Sequence, residues 1–267
     1  MPLIEELEHA REEAGGAHSA PSGTLRLTAS VAFAHECIVP HLGDFHDRYP
    51  EISLELLPTD ATLDILANGI DLAIRLAPAP EGDLVSTRLI RTRYRVCAAP
   101  GYLAERGPPS DPRELSRLNC LRFALPEFRS RWLFRRAGEE RFDVAVSGST
   151  VIANALSLRQ AARDGLGPTM LADWLIGGDL ASGALVEMFP DYDCTATEFD
   201  TAAWALYPSR SFLPRKVRVA IDFLREKLKT DAITASLSAT SQLPSRLSRQ
   251  IESIEEPTRY RSGISER

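Results

Sequence analysis

The chain has 267 residues, 44% of them hydrophobic and 25% charged, which is the composition of a soluble globular protein with one large or two modest domains. Its formal net charge of -6 argues against a surface that neutralises nucleic-acid phosphates, because such surfaces carry an excess of Lys and Arg. No stretch is long and apolar enough for a membrane span, and the acidic first residues differ from the basic start of a signal peptide. We therefore expect a cytoplasmic protein.

The first 23 residues predict a helix followed by a linker. Apolar residues of 1–14 fall on one helical stripe, and the small residues of 15–23 have the composition of a linker. A helix this short is marginal in water, so it needs a partner, either the body of the protein or a longer helix.

Residues 24–97 alternate between strand-like and helix-like patterns. The predicted strands are TLRLTA, ISLELLP and DLAIRLA, and the predicted helices are 33–49 and 61–69. Such alternation is typical of βαβ units that form a mainly parallel sheet. Two more strand-like runs, in LVSTRLIRTRYRVCAAP, lead to a change of composition near Ala98, where a second lobe begins.

The second predicted lobe holds a strand over 143–148, a helix over 152–163 and a short strand, TMLAD. A last strand, 204–208, and a helix, 214–229, follow it. From Asp231 the chain loses periodicity and is rich in Ser, Thr, Arg and Glu, so we expect 230–267 to form a disordered tail.

No metal site or disulfide is predicted. The four cysteines lie far apart without a CxxC pair, so we expect buried, reduced thiols. HECIVPH at 35–41 resembles the zinc-binding HExxH motif. Its two histidines, however, are six residues apart and about 240° around a helix, so they cannot share a metal ion.

The common signatures GxGxxG, GxxxxGK[ST] and GxSxG are absent from the sequence, so we expect no cofactor. All five histidines precede residue 47, and the second lobe therefore offers no histidine as the base for a nucleophile. We expect a binding protein and not an enzyme. An α/β hydrolase or transferase is the alternative from another class.

Two predicted helix starts follow strands directly and offer free backbone N–H groups. TASVAF places Ser30 at one N-cap, and SGSTVIAN places Ser149 or Thr150 at another, with Asn154 in the first turn. A helix N-terminus favours negative charge, and ligands of open α/β sheets lie beyond the carboxyl ends of the strands. The two starts predict an anion site across a cleft, although all these hydroxyls also fit a purely capping role.

Arg75 ends the predicted strand DLAIRLA, where the apolar pattern gives way to a loop. Its guanidinium group fits two kinds of partner, a ligand anion or a nearby carboxylate such as Asp71. The sequence leaves both open.

Seven blocks of the sequence, in order, resemble the effector-binding domain of LysR-type transcriptional regulators over residues 24–229. They are GTLRLTASVAFAHECIVPHLGDFHDRYPEISLEL, GIDLAIRLAP, LVSTRLIRTRYRVCAAPGYLAERGPP, ELSRLNCLRF, AARDGLGPTMLADWLI, GALVEMFPDY and ALYPSRSFLPRKVRVAIDFLREKL. The resemblance implies a two-lobed α/β fold like that of periplasmic binding proteins, with two Rossmann-like subdomains joined by crossover strands. It implies lobe I over 24–97 and 204–229, and lobe II over 98–203.

By the same resemblance, the chain binds a small effector between the lobes, an anionic metabolite such as an organic acid, and thereby controls transcription in the full-length regulator. The family's pocket positions fall on Ser30, Val31, Phe33, Arg75, Leu76, Phe123, Asn154, Leu166 and Gly167. Two stretches depart from the family's pattern, RLAPAPEGDLVSTRL at the pocket rim and GLGP, in which Pro168 lacks an N–H group.

The family's regulators also have an N-terminal winged helix-turn-helix and a linker helix, and residues 1–14 resemble the end of that linker. We therefore expect DNA contact only through such a separate domain, no membrane contact, and a homodimer or homotetramer. A solute-binding protein of the same fold is an alternative, but it needs a signal peptide, which the acidic first helix does not resemble.

Overall fold

The computed structural model describes residues 20–61, 63–78, 84–208 and 213–241, and the predicted helix 1–14, most of the linker 15–23 and residues 242–267 lie outside them. The strands are β1 (Gly23–Ala29), β2 (Ile52–Pro58), β3 (Leu72–Ala77), β4 (Leu84–Thr92), β5 (Tyr94–Ala98), β6 (Asn119–Phe123), β7 (Arg131–Arg135), β8 (Phe142–Ala145), β9 (Ser147–Ile152), β10 (Thr169–Ala172), β11 (Val186–Glu187), β12 (Asp193–Thr195) and β13 (Thr201–Pro208).

The first helical segment, α1, is continuous but irregular, and its parts are Val31–Phe33, Ala34–Ile38, Val39–His41 and Leu42–Arg48. The other helices are α2 (Pro100–Arg106), α3 (Ala155–Arg163), α4 (Asp173–Ser182) and α5 (Arg215–Ser241). Two short 3-10 turns, Pro112–Arg117 and Pro126–Phe128, lie between strands of the second lobe.

Lobe I is built on a five-stranded sheet in the order β2-β1-β3-β13-β4. β1 pairs in parallel with β2 and β3, as the alternating pattern predicts, while β13 is antiparallel to β3 and β4. α1 and α5 cover one face of this sheet, and a large hydrophobic cluster between them includes Leu25, Leu27, Phe33 and Phe223. The carboxyl ends of β1, β2 and β3 therefore meet at one edge of the sheet.

The helix predicted over 33–49 is confirmed as α1, which begins earlier, at Val31. The helix predicted over 61–69 is wrong, because the described residues there form turns. The Asp64 carboxylate accepts a hydrogen bond from the backbone N of Ala67 at 3.0 Å, and Gly69 has a φ of 58°. Both features stabilise turns at the expense of a helix.

Lobe II contains a six-stranded sheet in which β10, β5, β12, β7 and β8 lie side by side and β11 also pairs with β5. All of these pairs are antiparallel, and a separate parallel pair joins β6 and β9. One hydrophobic cluster packs around α3 and α4, and another is built around Trp132 and Phe134. The molecule is thus a two-lobed α/β protein, as the resemblance implies.

The chain crosses between the lobes twice. β4 belongs to the first sheet and β5 to the second, while β12 belongs to the second and β13 to the first. The crossovers therefore lie between Thr92 and Tyr94 and between Thr195 and Thr201. Both lie before the predicted lobe boundaries at 98 and 204.

Helix α5 packs on lobe I through Val217, Ile221, Leu224 and Leu228, the face that the sequence predicts. It continues to Ser241, so the expected disorder from residue 230 is wrong for 230–241. Extending an established helix is far less costly than starting one, and alanines in this stretch favour it. All four cysteines are buried and free, which confirms that prediction.

Candidate functional site

The candidate site lies beyond the carboxyl ends of β1, β2 and β3, the edge at which open α/β sheets bind ligands. Ser30 follows β1, and Thr59 and Asp60 follow β2. The backbone N of Thr59 donates to the carbonyl O of Ala29 at 2.8 Å, which joins the loop after β2 to the end of β1. Ser30 and Asp60 are thereby brought together.

Ser30 caps α1, as predicted. Its Oγ accepts a hydrogen bond from the backbone N of Phe33 at 3.4 Å. The next N–H group, that of Val31, donates to Oδ1 of Asp60 at 3.0 Å. A carboxylate of the chain itself therefore occupies one of the donors that the sequence predicts for an anion.

The N-cap predicted at Ser149 or Thr150 is wrong. Both residues belong to β9, because this strand continues its pairing with β6 as far as Ile152. The helix of lobe II, α3, is instead capped by Asn154, whose Oδ1 accepts from the backbone N of Ser157 at 3.1 Å. The cap fixes the orientation of the Asn154 amide and leaves its Nδ2 group for a second partner.

That second partner is Asp60, which joins the two lobes. Its Oδ2 accepts from Asn154 Nδ2 at 3.2 Å, while its Oδ1 accepts from the backbone N of Val31. Asp60 is absent from the predicted site residues because the contact with Asn154 spans 94 positions of the chain. Its one local indication is its place after a parallel strand, at the edge where ligands bind.

Arg75 does not pair with Asp71, one of the two partners that the sequence leaves open. Asp71 instead accepts from the backbone N of Arg26 at 2.9 Å and lies 3.4 Å from Nζ of Lys216. Arg75 donates to its neighbour's carbonyl, Ile74 O, at 3.0 Å, and to Thr28 Oγ1 at 3.5 Å. Within the described part of the chain, no carboxylate forms an ion pair with it.

Burial and a nearby charge act on Arg75 in opposite directions. Loss of hydration lowers the pKa of its guanidinium group, and the smaller effect of the Asp60 charge raises it. The net shift is downward, so the cation is desolvated more than it is compensated. A desolvated guanidinium without an ion-pair partner among the described residues favours an anion as its partner.

Of the other predicted residues, Phe33 is fully buried, and its ring packs edge-on against Trp174 of α4 with 5.2 Å between centroids. Leu76 packs against the core of lobe I, and Phe123 is half-buried at the end of β6. Phe33 and Leu76 therefore contribute to the apolar core of lobe I. Phe123 lies on the same side of lobe II as Asn154, because its partner in β9 is Ile152.

Leu166 and Gly167 are not brought to this end of lobe II. A Cβ atom on Gly167 would lie 2.4 Å from the carbonyl O of Asn119, at the start of β6. Asn154 follows the strand paired with the other end of β6, about 13 Å away at the rise of a strand. Leu166 is 58% exposed, and no contact with the residues around Asp60 supports a site role for either residue.

A second polar contact crosses the lobes beside the first. Nη1 of Arg159, in α3, lies 2.9 Å from Oε1 of Glu36, in α1. Arg159 also lies 3.8 Å from Asp179 of α4, and both partners of the interlobe pair are largely shielded from solvent. Two opposite charges thus form an ion pair between α1 of lobe I and α3 of lobe II.

The two histidines of the zinc-like motif contact different carboxylates. His41 Nε2 lies 2.8 Å from an Asp231 carboxylate oxygen, and His35 Nδ1 lies 3.1 Å from Glu36. Among residues 20–61, 63–78, 84–208 and 213–231, no group of three or more His, Cys, Asp and Glu side chains is placed to bind a metal ion.

Comparison with known proteins identifies the family. The model of the LysR substrate binding domain matches residues 18–229. The chain belongs to this family. It is 30% identical over 226 residues to the HTH-type transcriptional regulator PtxR of Pseudomonas aeruginosa, a match that covers 85% of this chain and 71% of PtxR.

The regulator CrgA of Neisseria meningitidis is similar in sequence and in structure. Its sequence is 28% identical over 227 residues, which is 85% of this chain and 74% of CrgA. The solved regulatory domain of CrgA superposes with a TM-score of 0.67 at 28% identity, covering 78% of this chain and all of that domain, 100%. The chain is therefore the effector-binding domain of a LysR-type regulator, and the proteins that it resembles are transcriptional regulators.

In the part of the chain that the structure describes, no helix is both long and apolar enough to span a membrane.

Proposed function

We propose that the chain senses a small organic anion, bound in the cleft between its lobes, and transmits this binding to the transcriptional activity of the full-length regulator. The observation that carries the proposal is the contact of Asp60. Donors from both lobes, Val31 N and Asn154 Nδ2, converge on one carboxylate at 3.0 and 3.2 Å. A ligand carboxylate has the same acceptor geometry as this side chain.

Arg75 supplies the charge that such a ligand needs. It lies close enough to Asp60 for the two charges to interact, yet among the described residues it hydrogen-bonds only to Ile74 O and Thr28 Oγ1. A carboxylate that reached Arg75 would gain a charge-assisted hydrogen bond, which is about twice as strong as a neutral one. Ser30, Val31, Arg75, Asn154 and Phe123 are our proposed ligand-side residues.

Binding between the lobes would act by selecting one arrangement of the lobes over others. A ligand that contacts both lobes at once stabilises the closed arrangement by its differential affinity. In the full-length regulator, that change would alter how subunits pack in a homodimer or homotetramer. Contact with DNA would be made by a separate helix-turn-helix domain, the element for which the HTH-type regulators PtxR and CrgA are named.

Isothermal titration calorimetry against a panel of mono-, di- and hydroxycarboxylates tests the proposal. We expect at least one carboxylate to bind with a stoichiometry of one, and Arg75→Gln to weaken its affinity about tenfold or more, since a hydrogen bond to a charge is worth about 1.5–3 kcal/mol.

Arg129→Gln is the matched control, because Arg129 is exposed and forms no ion pair within the described residues. It should leave the affinity unchanged. The proposal is wrong if no carboxylate binds, and the role of Arg75 is wrong if both variants bind as the wild type does.

A further inference from the structure

Asp60 accepts hydrogen bonds from the donors that we propose for the ligand, one from each lobe. We infer that Asp60 is an internal competitor of the ligand: its carboxylate joins the lobes while the cleft is free, and a ligand carboxylate displaces it. The inference rests on the proposed function, because it assigns the regulation of the same site. It follows from three features of the contact.

First, both oxygens of Asp60 are used, and each by a different lobe. Oδ1 accepts from Val31 N and Oδ2 from Asn154 Nδ2. The Val31 N–H group is therefore unavailable to a second carboxylate while Asp60 is in place, and Asn154 Nδ2 retains only its second hydrogen. A second anion beside Asp60 would also meet a like charge within a few ångströms, which is unfavourable.

Second, Asp60 is positioned to leave as well as to bind. Its side chain is exposed, so water can solvate the carboxylate once it moves away from the donors. The residue before it, Thr59, is held by Ala29 O at 2.8 Å, while the residues after it form turns and not a helix. The carboxylate is thus attached by a short link to a fixed point, which gives it a high effective concentration at the cleft.

Third, a ligand gains a contact that Asp60 does not make. Asp60 forms no hydrogen bond with Arg75, whose described contacts are to Ile74 O and Thr28 Oγ1. A free carboxylate is not restricted by the chain and can engage Arg75 together with the donors that Asp60 vacates. Exchange of one carboxylate for the other therefore pairs the Arg75 cation.

The Glu36–Arg159 ion pair also joins the two lobes, and it limits how far they can separate when Asp60 is displaced. It joins α1 of lobe I to α3 of lobe II and does not involve Asp60. We therefore expect the lobes to remain in contact through this pair when the Asp60 contact is lost.

Nitrogen-15 NMR of the full chain, with acetate as the probe, tests the inference. The reporters are the backbone amide of Val31 and the side-chain amide of Asn154. In Asp60→Ala both resonances should move from their wild-type positions, and acetate should return them saturably towards those positions. If Asp60 occupies the donors at least nine-tenths of the time, acetate should bind the variant about tenfold or more tightly than the wild type.

Asp64→Ala is the matched control. Asp64 lies in the same loop, and its carboxylate accepts from Ala67 N at 3.0 Å and from neither reporter. This variant should show wild-type resonances for Val31 and Asn154 and wild-type affinity for acetate. Asp60→Asn retains the size of the side chain but only one acceptor oxygen, so it can keep one of the two contacts and should fall between the wild type and Asp60→Ala.

Three results would overturn the inference. One is an unchanged position of both reporters in Asp60→Ala. Another is equal acetate affinity in Asp60→Ala and the wild type, which would leave the proposed anion site standing. The third is no effect of acetate on the reporters in any variant, which would count against both the internal competitor and an anionic ligand at these donors.

Discussion

The two lobes supply donors to one carboxylate by different structural means. In lobe I the donor is a backbone group, Val31 N, placed by the end of a parallel strand; in lobe II it is a side-chain group, Nδ2 of Asn154. A backbone donor survives almost any substitution at its own position, whereas a side-chain donor is lost with its side chain. Substitutions at Val31 are therefore expected to change this contact less than substitutions at Asn154.

The cores of the lobes differ as well. In lobe I the main cluster lies under α1 and α5, and a smaller one around Ile65 and Ile70 covers other residues of the sheet. In lobe II two clusters of similar size share the interior. Phe33 links the two lobes, because its ring belongs to the core of lobe I and meets Trp174 of lobe II at an angle of 75°.

Phe33→Ala has the largest expected effect and tests whether the lobes unfold together. Removing a fully buried Phe costs about 3–5 kcal/mol, from lost burial and from the cavity that remains. We expect that loss in urea unfolding, with coincident transitions by tryptophan fluorescence and circular dichroism.

Leu66→Ala provides the comparison, since Leu66 is 67% exposed, and it should change stability by less than about 0.5 kcal/mol. Two separate transitions in Phe33→Ala would mean that the lobes are independent units and that the Phe33–Trp174 contact adds little between them.

Gly148→Ala is expected to be next in size and acts on the strand pair that positions Asn154. A Cβ at this position would lie 2.0 Å from the carbonyl O of Cys120, a backbone atom of the neighbouring strand. The strands must separate to accept it, so we expect a loss of about 3 kcal/mol, measured by urea unfolding.

Gly101→Ala is its control. Gly101 lies in α2, and no atom lies within 4 Å of its added Cβ. The substitution should stabilise the chain by up to about 1 kcal/mol, because Ala favours helix over Gly. An equal loss in both variants would refute the close approach of β6 and β9.

The strand β9, which contains Gly148, also shows what local sequence patterns cannot reveal. The strands β1, β2 and β3 and the cap at Ser30 are predictable, because apolar alternation and capping residues act over a few positions. SGST of β9 has the composition of a helix start, and only its pairing with β6, from a distant part of the chain, makes it a strand. The Asn154 side chain therefore takes the capping role that the pattern predicts for Ser149 or Thr150.

The candidate site was predictable only in the parts that follow from short sequence patterns of this kind. Ser30, Arg75 and Asn154 lie around Asp60, which short sequence patterns do not single out because it is joined to Asn154 by a contact across 94 positions. Gly167 illustrates the opposite case. Its close approach to Asn119 O, 2.4 Å for an added Cβ, explains a glycine there without any ligand.

Breaking the Glu36–Arg159 pair should change stability less than Phe33→Ala or Gly148→Ala does. The two charges are 2.9 Å apart and partly shielded from solvent. We therefore expect a contribution to stability between that of exposed ion pairs, under about 1 kcal/mol, and that of fully buried ones. A double-mutant cycle with Glu36→Gln and Arg159→Gln should give a coupling free energy of about 1 kcal/mol.

The more exposed pair of Arg88 and Asp200, at 3.2 Å, serves as the control cycle and should give a smaller coupling. A coupling no larger for Glu36 and Arg159 would show that this contact does not hold the lobes together.

The smallest expected effect is a difference in how carboxylates of the two lobes respond to pH. In lobe I, the hydrogen bond from Arg48 lowers the pKa of Glu226. In lobe II, burial raises the pKa of Asp173, even though its carboxylate accepts from the backbone N of Arg93 and of Trp174. Ionisation therefore stabilises the folded state at Glu226 and destabilises it at Asp173.

Because the two pKa shifts have opposite signs, Glu226→Gln and Asp173→Asn should change stability in opposite directions. The measurement is the urea midpoint of unfolding between pH 7 and pH 3. Stability from Glu226 is present above its unfolded pKa, about 4.3, and is lost as the pH falls through its lower folded value. Glu226→Gln should thus be less stable than the wild type at pH 7. Asp173→Asn, whose Oδ1 can keep both backbone contacts, should be more stable at pH 7, because it removes a desolvated charge. Both differences should shrink on acidification, and a destabilised Asp173→Asn at pH 7 would mean that the backbone donors outweigh burial at the start of α4.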